Sequence, residues 1–79
     1  MIKLSPHAEE QIGDRGIDAA WVELTVTAPA WTETDPIVGR TRFFRAIPEF
    51  GGRILRVAHR PDGANVLVIT AFFDRGAKP

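Results

Sequence analysis

The first thirty residues of the chain carry apolar side chains at helical spacing, in two short segments. In the first segment Ala8, Ile12 and Arg15 are spaced i, i+4 and i+7, so they share one helix face. Ser5 precedes this pattern and is a residue type that caps helix N-termini. Gly16 follows it and can adopt the left-handed conformation that ends many helices. These signals predict a helix that begins after Ser5 and ends at about Arg15.

A second helix is predicted after a short break. Asp18 has the side chain of a helix N-cap, and Val22 and Val26 follow at i, i+4 spacing with Trp21 beside them. Pro29 lacks a backbone N–H and therefore ends the segment. We expect the face that carries Val22 and Val26 to be buried.

From Trp31 onward the apolar spacing changes to the period of two that is typical of strands. The predicted strands, which are rich in Val, Ile, Phe and Thr, are a short edge strand at 31–34 and three longer ones at 41–47, 53–60 and 66–73. The turns at 48–52 and 61–65 contain Pro and Gly. Because these turns are too short for a parallel crossover, the strands they join are expected to be antiparallel.

Alternation along the strands sorts the side chains onto two faces. The simplest assembly packs the helices on the face that carries Leu55, Val57, Leu67 and Ile69. The opposite face then carries a more polar set, which comprises Arg42, Arg56, Arg60 and Thr70 together with Phe44. The prediction is one α+β domain over 1–79, with two N-terminal helices packed on a three- to four-stranded antiparallel sheet and a frayed tail at 74–79.

The composition fits a folded domain. Seventy-nine residues with 44% hydrophobic content suffice for one domain with one core. The absence of cysteine excludes disulfides and thiolate zinc sites, and it fits a reducing compartment. No signal-peptide pattern and no apolar run of membrane-spanning length is present. We expect a cytoplasmic protein with no membrane partner, no metal and no cofactor.

Charge is unevenly distributed although the net charge is zero. Residues 1–35 carry two basic and seven acidic side chains, a balance of −5, and residues 36–79 carry eight basic and three acidic ones, a balance of +5. Seven of those eight bases are arginines, whose planar guanidinium suits phosphate. Two compatible interpretations are open: a phosphate-bearing partner for the second half, or salt bridges between acidic helices and a basic sheet.

Two local motifs resemble a family of small bacterial domains. His7-Ala8 is followed by Arg15-Gly16-Ile17, then by Asp18 and Val22, and the chain closes with an apolar strand that contains Thr70 and two phenylalanines. This pattern is similar to the "HA…RGI" domains that are grouped with the RelE, ParE and BrnT toxins. The resemblance implies a RelE-like fold and a metal-independent ribonuclease or ribosome-dependent mRNA interferase of a toxin–antitoxin system. It also implies RNA or the ribosome, and a cognate antitoxin protein, as partners.

Cleavage of RNA without metal requires a general base, a general acid and cations around the phosphate. Histidine titrates near neutral pH, and the chain has two histidines. His7 lies in the first turn of the predicted helix, near the face that carries Arg15, so both are candidates for one catalytic site. The alternative for His7 is a structural hydrogen bond to a backbone carbonyl or to Thr70. The alternative for Arg15 is interaction with the helix dipole.

Further candidates lie in the predicted strands. His59 lies at the end of the middle strand and is either catalytic or a half-exposed side chain with no specific role. Arg56 interrupts an apolar strand and is either a phosphate contact or half of an ion pair with Glu23 or another acid. Thr70 is either a hydroxyl donor to phosphate or a β-forming residue. The remaining candidates for RNA or phosphate binding are Arg42, Arg45 and Arg60. Their alternative role is as solvated charges that discourage edge pairing.

Two functions are therefore open. One is a metal-independent ribonuclease, and the other is a non-catalytic protein-interaction module that binds through its sheet or its acidic helices. The nuclease hypothesis requires the guanidinium groups of the strands to lie together on one open surface with an imidazole nearby. The three-dimensional structure tests this condition.

Overall fold

In the computed structural model, which describes residues 1–79, both helices begin at the residues that the sequence indicates; the first also ends as predicted, and the second ends two residues before Pro29. The first helix, α1 (Pro6–Arg15), is capped by the Ser5 hydroxyl, which accepts a hydrogen bond from the Ala8 N–H at 3.1 Å. It ends at Gly16, whose φ of 63° is the left-handed conformation. The second helix, α2 (Ala19–Thr27), is capped by the Asp18 carboxylate. A membrane-spanning helix would have to be longer and more apolar than either of these.

The sheet has five strands in the order β1-β5-β4-β3-β2. Their bounds are β1 Ile2–Leu4, β2 Trp31–Thr34, β3 Thr41–Ile47, β4 Arg53–Asp62 and β5 Asn65–Phe73, and a short 3-10 helix, Pro48–Phe50, follows β3. The predicted number of strands was too low because β1 lies before the helices, where the sequence indicated only a helix start. β1 also pairs with β5 in parallel, so the sheet is mixed. Parallel pairing is possible because nearly the whole chain, and not a short turn, connects these two strands.

The core lies between the helices and one face of the sheet. Its fully buried residues come from the helical region and from three strands: Ala8, Ile17, Val22, Ile47, Leu55, Val57, Val68 and Ala71. We call this side the helix-covered face and the other side the open face. Leu55 and Val57 face the helices, as predicted.

A β-bulge in β5 changes which of its residues face the core. After Ala58 the register between β4 and β5 shifts by one residue, which leaves Ile69 as an extra residue. Val68 and Ala71 therefore both face the helices although they are three positions apart. Leu67 falls on the open face. The prediction that Leu67 and Ile69 contact the helices is wrong, because strict alternation holds only in a strand without a bulge.

Polar side chains of the helical segment complete the outer edge of β5. β1 pairs only with residues 66–68 of this strand. Beyond them, the Ser5 hydroxyl donates to the Ile69 carbonyl at 3.1 Å, and the side-chain carbonyl of Gln11 accepts from the Ala71 N–H at 3.1 Å. These bonds satisfy backbone groups that no strand covers. They also hold α1 alongside β5.

We predict that Gln11→Ala lowers the free energy of unfolding by about 1–3 kcal/mol, because it leaves the buried Ala71 N–H without a partner. Urea denaturation monitored by circular dichroism measures the change. Glu10→Ala, an exposed neighbour on the same helix, is the control and should stay within about 0.5 kcal/mol of wild type. Gln11→Glu keeps an acceptor oxygen and should recover part of the loss. Equal stability of the two alanine variants would contradict this role for Gln11.

Candidate anion-binding site

Three of the strand arginines share one face of the sheet, as predicted. Arg42, Arg56 and Arg60 lie on the open face, opposite Ala58, Phe44 and Leu67. Arg45 lies on the helix-covered face, because its cross-strand partner is Leu55. Arg60 is exposed near the far end of β4. The condition on which the nuclease hypothesis rested is therefore met only in part: three guanidinium groups share one face, but His59 lies on the other face and His7 lies in α1.

Two of the three arginines of the open face are each bonded to an acid. Arg42 donates from Nε to Asp35 at 3.0 Å, and Arg56 donates from Nη1 to Asp74 at 3.2 Å. Arg56 also lies 5.0 Å from the centre of the Phe72 ring. Of the two interpretations of Arg56, the structure contains the ion pair, although with Asp74 and not with Glu23. Phosphate would have to compete with these carboxylates.

The Asp35 carboxylate is stabilised in its charged form. The Ile37 amide, which donates to Asp35 at 2.8 Å, is the main cause that lowers the pKa of this carboxyl. Burial acts in the opposite direction, and the Arg42 guanidinium adds to the lowering. Asp35 thus neutralises Arg42 over the whole range of neutral pH.

The other two arginines predicted to bind phosphate from the strands, Arg45 and Arg60, bond to backbone carbonyls. Arg45 donates from Nη1 to the Ala28 carbonyl at 2.6 Å, which satisfies an acceptor at the end of α2. Arg60 makes a contact of 3.4 Å with the carbonyl of its own neighbour, Pro61. Arg45 therefore fastens α2 to the sheet, a structural role. The charge of Arg60 faces solvent.

The two histidines lie apart from each other and from Arg56. His7 is exposed in the first turn of α1 and makes no side-chain hydrogen bond, either to a carbonyl or to Thr70. Thr70 pairs with Ala58, so it lies on the open face. His59 lies on the helix-covered face, 8% exposed, with its ring edge-on to Phe43 at 4.3 Å between centroids. These residues do not form a common acid–base site.

A different set of side chains surrounds an open concavity of about 370 Å³ at one end of the sheet. It is lined by Arg15, Arg53 and Arg75 together with Phe50 and Phe73, and we call it the arginine pocket. Arg15 is the one residue among the sequence-predicted candidates that lines it. The concavity lies where α1 ends, β4 begins and β5 ends.

Stacked aromatic rings support the arginine pocket. Phe50 and Phe73 stack with their centroids 4.6 Å apart and their planes at 20°. Trp21 contacts both rings from α2, at 5.8 Å and 6.2 Å between centroids. The Arg53 guanidinium carbon lies 5.2 Å from the centre of the Phe50 ring, in cation–π geometry. The aromatic cluster thus joins the pocket to the core and orients one of its guanidinium groups.

The electrostatics of the arginine pocket are those of an anion site. Arg15, Arg53 and Arg75 take part in neither of the two salt bridges of the structure and make no side-chain hydrogen bond. Asp74, the neighbour of Arg75 in the chain, is bonded to Arg56. No acidic residue lines the concavity. Three uncompensated positive charges around one concave surface attract a multiply charged anion.

The residues of this pocket can bind charge but cannot transfer protons. A guanidinium group stays protonated in proteins, so it serves as neither a general base nor an acid near neutral pH. His7 is eight residues from Arg15, about 12 Å along the helix. His59 is six residues from Arg53, about 20 Å along the strand. The arrangement therefore favours binding over catalysis.

Sequence reasoning missed Arg53, Arg75, Phe50 and Phe73 as functional candidates. A usable signal was present for part of the set, since Phe50 and Arg53 flank the Gly51-Gly52 turn. The register between β4 and β5, which pairs Leu55 with Phe73, brings the end of β5 beside that turn. This register includes the bulge and could not be read from alternation alone.

Fold and pocket define a small α+β domain in which two helices cover one face of a mixed five-stranded sheet. The chain belongs to the family described as Domain of unknown function (DUF4258), which matches residues 4–73. That range includes four of the five pocket residues and excludes Arg75. Comparison with curated proteins and with solved structures gave no match. The grouping with RelE-like toxins stays a prediction from the sequence.

The buried imidazole of His59 predicts a stability that depends on pH. Burial lowers the pKa of His59, and its Nε2 has no hydrogen-bond partner. As the pH falls below the ordinary histidine pKa of about 6.5, the unfolded chain takes up a proton that the folded chain resists. The stability is thus complete above this pH and decreases below it. Urea denaturation from neutral to mildly acidic pH measures the decrease.

The matched variants for this pH experiment are His59→Leu and His7→Leu. His59→Leu should lose the part of the pH dependence that arises from the buried imidazole, whereas His7→Leu should retain it because His7 is exposed. An unchanged pH dependence in His59→Leu would show that the buried imidazole has no such effect.

Proposed function

We propose that the domain binds single-stranded RNA through the arginine pocket and does not cut it. The observation that carries the proposal is the convergence of three guanidinium groups, none paired with an acid, on one concavity. Charge-assisted hydrogen bonds from guanidinium to phosphate are among the strong polar contacts of proteins, and two can form side by side. Phosphate is thus the anion that best suits these residue types.

RNA as the source of the phosphate is supported by two features. One is the sequence resemblance to RNA-cleaving toxins, carried by His7-Ala8 and Arg15-Gly16-Ile17, since Arg15 also lines the pocket. The other is the combination of cationic and aromatic side chains, which is the usual chemistry of single-strand recognition. A duplex would need a wider basic surface, whereas Arg42 and Arg56 on the open face are already neutralised.

Binding without cleavage follows from the lack of a proton-transfer group beside the three arginines. Positioned acids and bases typically contribute about 10²–10⁴-fold each to rate, and electrostatic stabilisation alone does not replace them. A ribonuclease of a toxin–antitoxin system stays a prediction of the sequence resemblance. A protein partner, such as an antitoxin or a target of an interaction module, likewise stays a prediction.

We predict that Arg53→Ala and Arg75→Ala each weaken binding of a short single-stranded RNA by about 10- to 100-fold, the loss of one charge-assisted contact of about 1.5–3 kcal/mol. Fluorescence anisotropy with labelled RNA measures the affinity. Arg60→Ala removes the same charge from an exposed position about 23 Å away along β4 and should bind as wild type. Equal loss in all three variants would indicate general charge attraction and contradict a defined pocket.

We also predict that the purified domain leaves RNA intact. The RNA is incubated with an excess of protein in chelator and analysed on a denaturing gel, with Arg53→Ala as the parallel sample. Full-length RNA is expected in both samples, because His7 and His59 lie too far from the pocket to exchange protons there. Fragments that form with wild type and disappear in His7→Ala or Arg53→Ala would overturn the non-catalytic proposal and support the nuclease.

A further inference from the structure

Three of the six arginines without an ion pair lie together at the arginine pocket, and the other three lie elsewhere on the molecule. Of the eight arginines, two are ion-paired and two bond to backbone carbonyls. The other four are Arg15, Arg40, Arg53 and Arg75, and three of these line the arginine pocket. Arg40 precedes Thr41, whose cross-strand partner is His59, so it lies toward the opposite end of the sheet.

A surface that follows the middle of a nucleic-acid strand needs cations repeated along its path. Here the surface next to the pocket offers no such repeat. Arg56, on the neighbouring open face, is held by Asp74. Lys3, on the neighbouring strand β1, pairs with Leu67 near the beginning of β5, whereas the pocket lies at the end of that strand. The distribution therefore matches a single highly charged group and not a series of singly charged phosphodiesters.

A terminal phosphate is such a group. A phosphate monoester carries a charge of about −1.5 to −2 at neutral pH and has three strong acceptor oxygens. An internal phosphodiester carries one charge and two non-bridging oxygens. Three guanidinium forks, each with paired N–H donors, can supply the monoester with donors to every terminal oxygen. The phosphodiester would leave part of this positive charge uncompensated.

The aromatic side chains that line the pocket, Phe50 and Phe73, also favour a terminal phosphate. The stacked rings of Phe50 and Phe73 line the concavity beside the arginines, and the Arg53 guanidinium lies over the Phe50 ring. An ionic contact beside apolar rings is screened less than one on an open surface. The concavity of about 370 Å³ is within the range of sites that hold a small ligand, so it has room for a sugar next to the phosphate.

We infer that the arginine pocket recognises the terminal phosphate of an RNA strand, so that the domain binds RNA ends and not internal segments. This inference rests on the proposed RNA-binding function and specifies its substrate class. A 5′-phosphate and a 3′-phosphate present the same chemistry to the three arginines, and the experiment separates them.

The test compares one single-stranded RNA sequence in three forms: with a 5′-phosphate, with a 3′-phosphate, and with hydroxyl groups at both ends. At least one phosphorylated form is expected to bind about tenfold or more tightly than the hydroxyl form, because it adds at least one charge-assisted contact. A mononucleotide carrying the same terminal phosphate should compete with the phosphorylated RNA.

Two kinds of variant identify the site. Arg75→Ala should remove the preference for the phosphorylated end, whereas Arg60→Ala should keep it. Arg75→Lys keeps the charge but loses the planar fork, so it should reduce the preference without abolishing RNA binding. Arg75 is exposed, so these variants are expected to fold, and their denaturation curves verify this.

The outcomes distinguish this inference from the proposed function. Binding of all three RNAs with equal affinity, still weakened by Arg53→Ala, would overturn end recognition and leave RNA binding at the pocket in place. A preference for phosphorylated ends that persists in Arg75→Ala and Arg53→Ala would place the terminal phosphate elsewhere and overturn the inference. Failure of every RNA to bind would overturn both proposals.

Discussion

The hydrogen bonds between the first helical segment and the outer edge of β5 determine the arrangement of the rest of the molecule. β1 covers only the beginning of that edge, and the polar side chains of Ser5 and Gln11 cover the part beyond it. A buried strand cannot leave these backbone groups unpaired without a cost of about 1–3 kcal/mol each. A small domain has a stability margin of only a few such contributions. Helix α1 is therefore held alongside β5, and only Ser5 separates it from β1 in the chain.

The position of the arginine pocket follows from this constraint. Because α1 runs beside β5, its last residue, Arg15, lies at the end of the sheet where β5 finishes and β4 begins. Arg53 is the first residue of β4, and Arg75 lies two residues after the end of β5. The acids that neutralise other arginines, Asp35 and Asp74, are bonded on the open face and leave this end positive. The chain has no net charge, yet three arginines without an acidic partner cluster at this end of the sheet.

Sequence signals from neighbouring residues predicted most of the helices and strands. They did not predict features that depend on contacts between distant parts of the chain. The caps at Ser5, Asp18 and Gly16 depend only on residues that are close together in the sequence, so both helices could be predicted from it. β1 has three residues and exists only because β5 provides a partner 64 positions away. The bulge at Ile69 likewise has no local signature. Of the pocket residues, only Arg15 was predicted as a functional candidate. Arg53 and Arg75 are brought close to it by the register of the strands, which the sequence did not reveal.

Pairing of the first strand with the last has a kinetic and thermodynamic consequence. Ile2 pairs with Val66, so the sheet includes a contact between residues that are far apart in the sequence. Contacts of this kind slow folding. The arginine pocket likewise draws on three separate segments, so it is complete only when α1 and the paired β4 and β5 are all in place. A ligand that binds there selects the fully folded chain and raises its stability in proportion to the logarithm of ligand concentration. During synthesis, a chain whose C-terminal strand has not yet emerged from the ribosome would lack the pocket and could not hold the ligand.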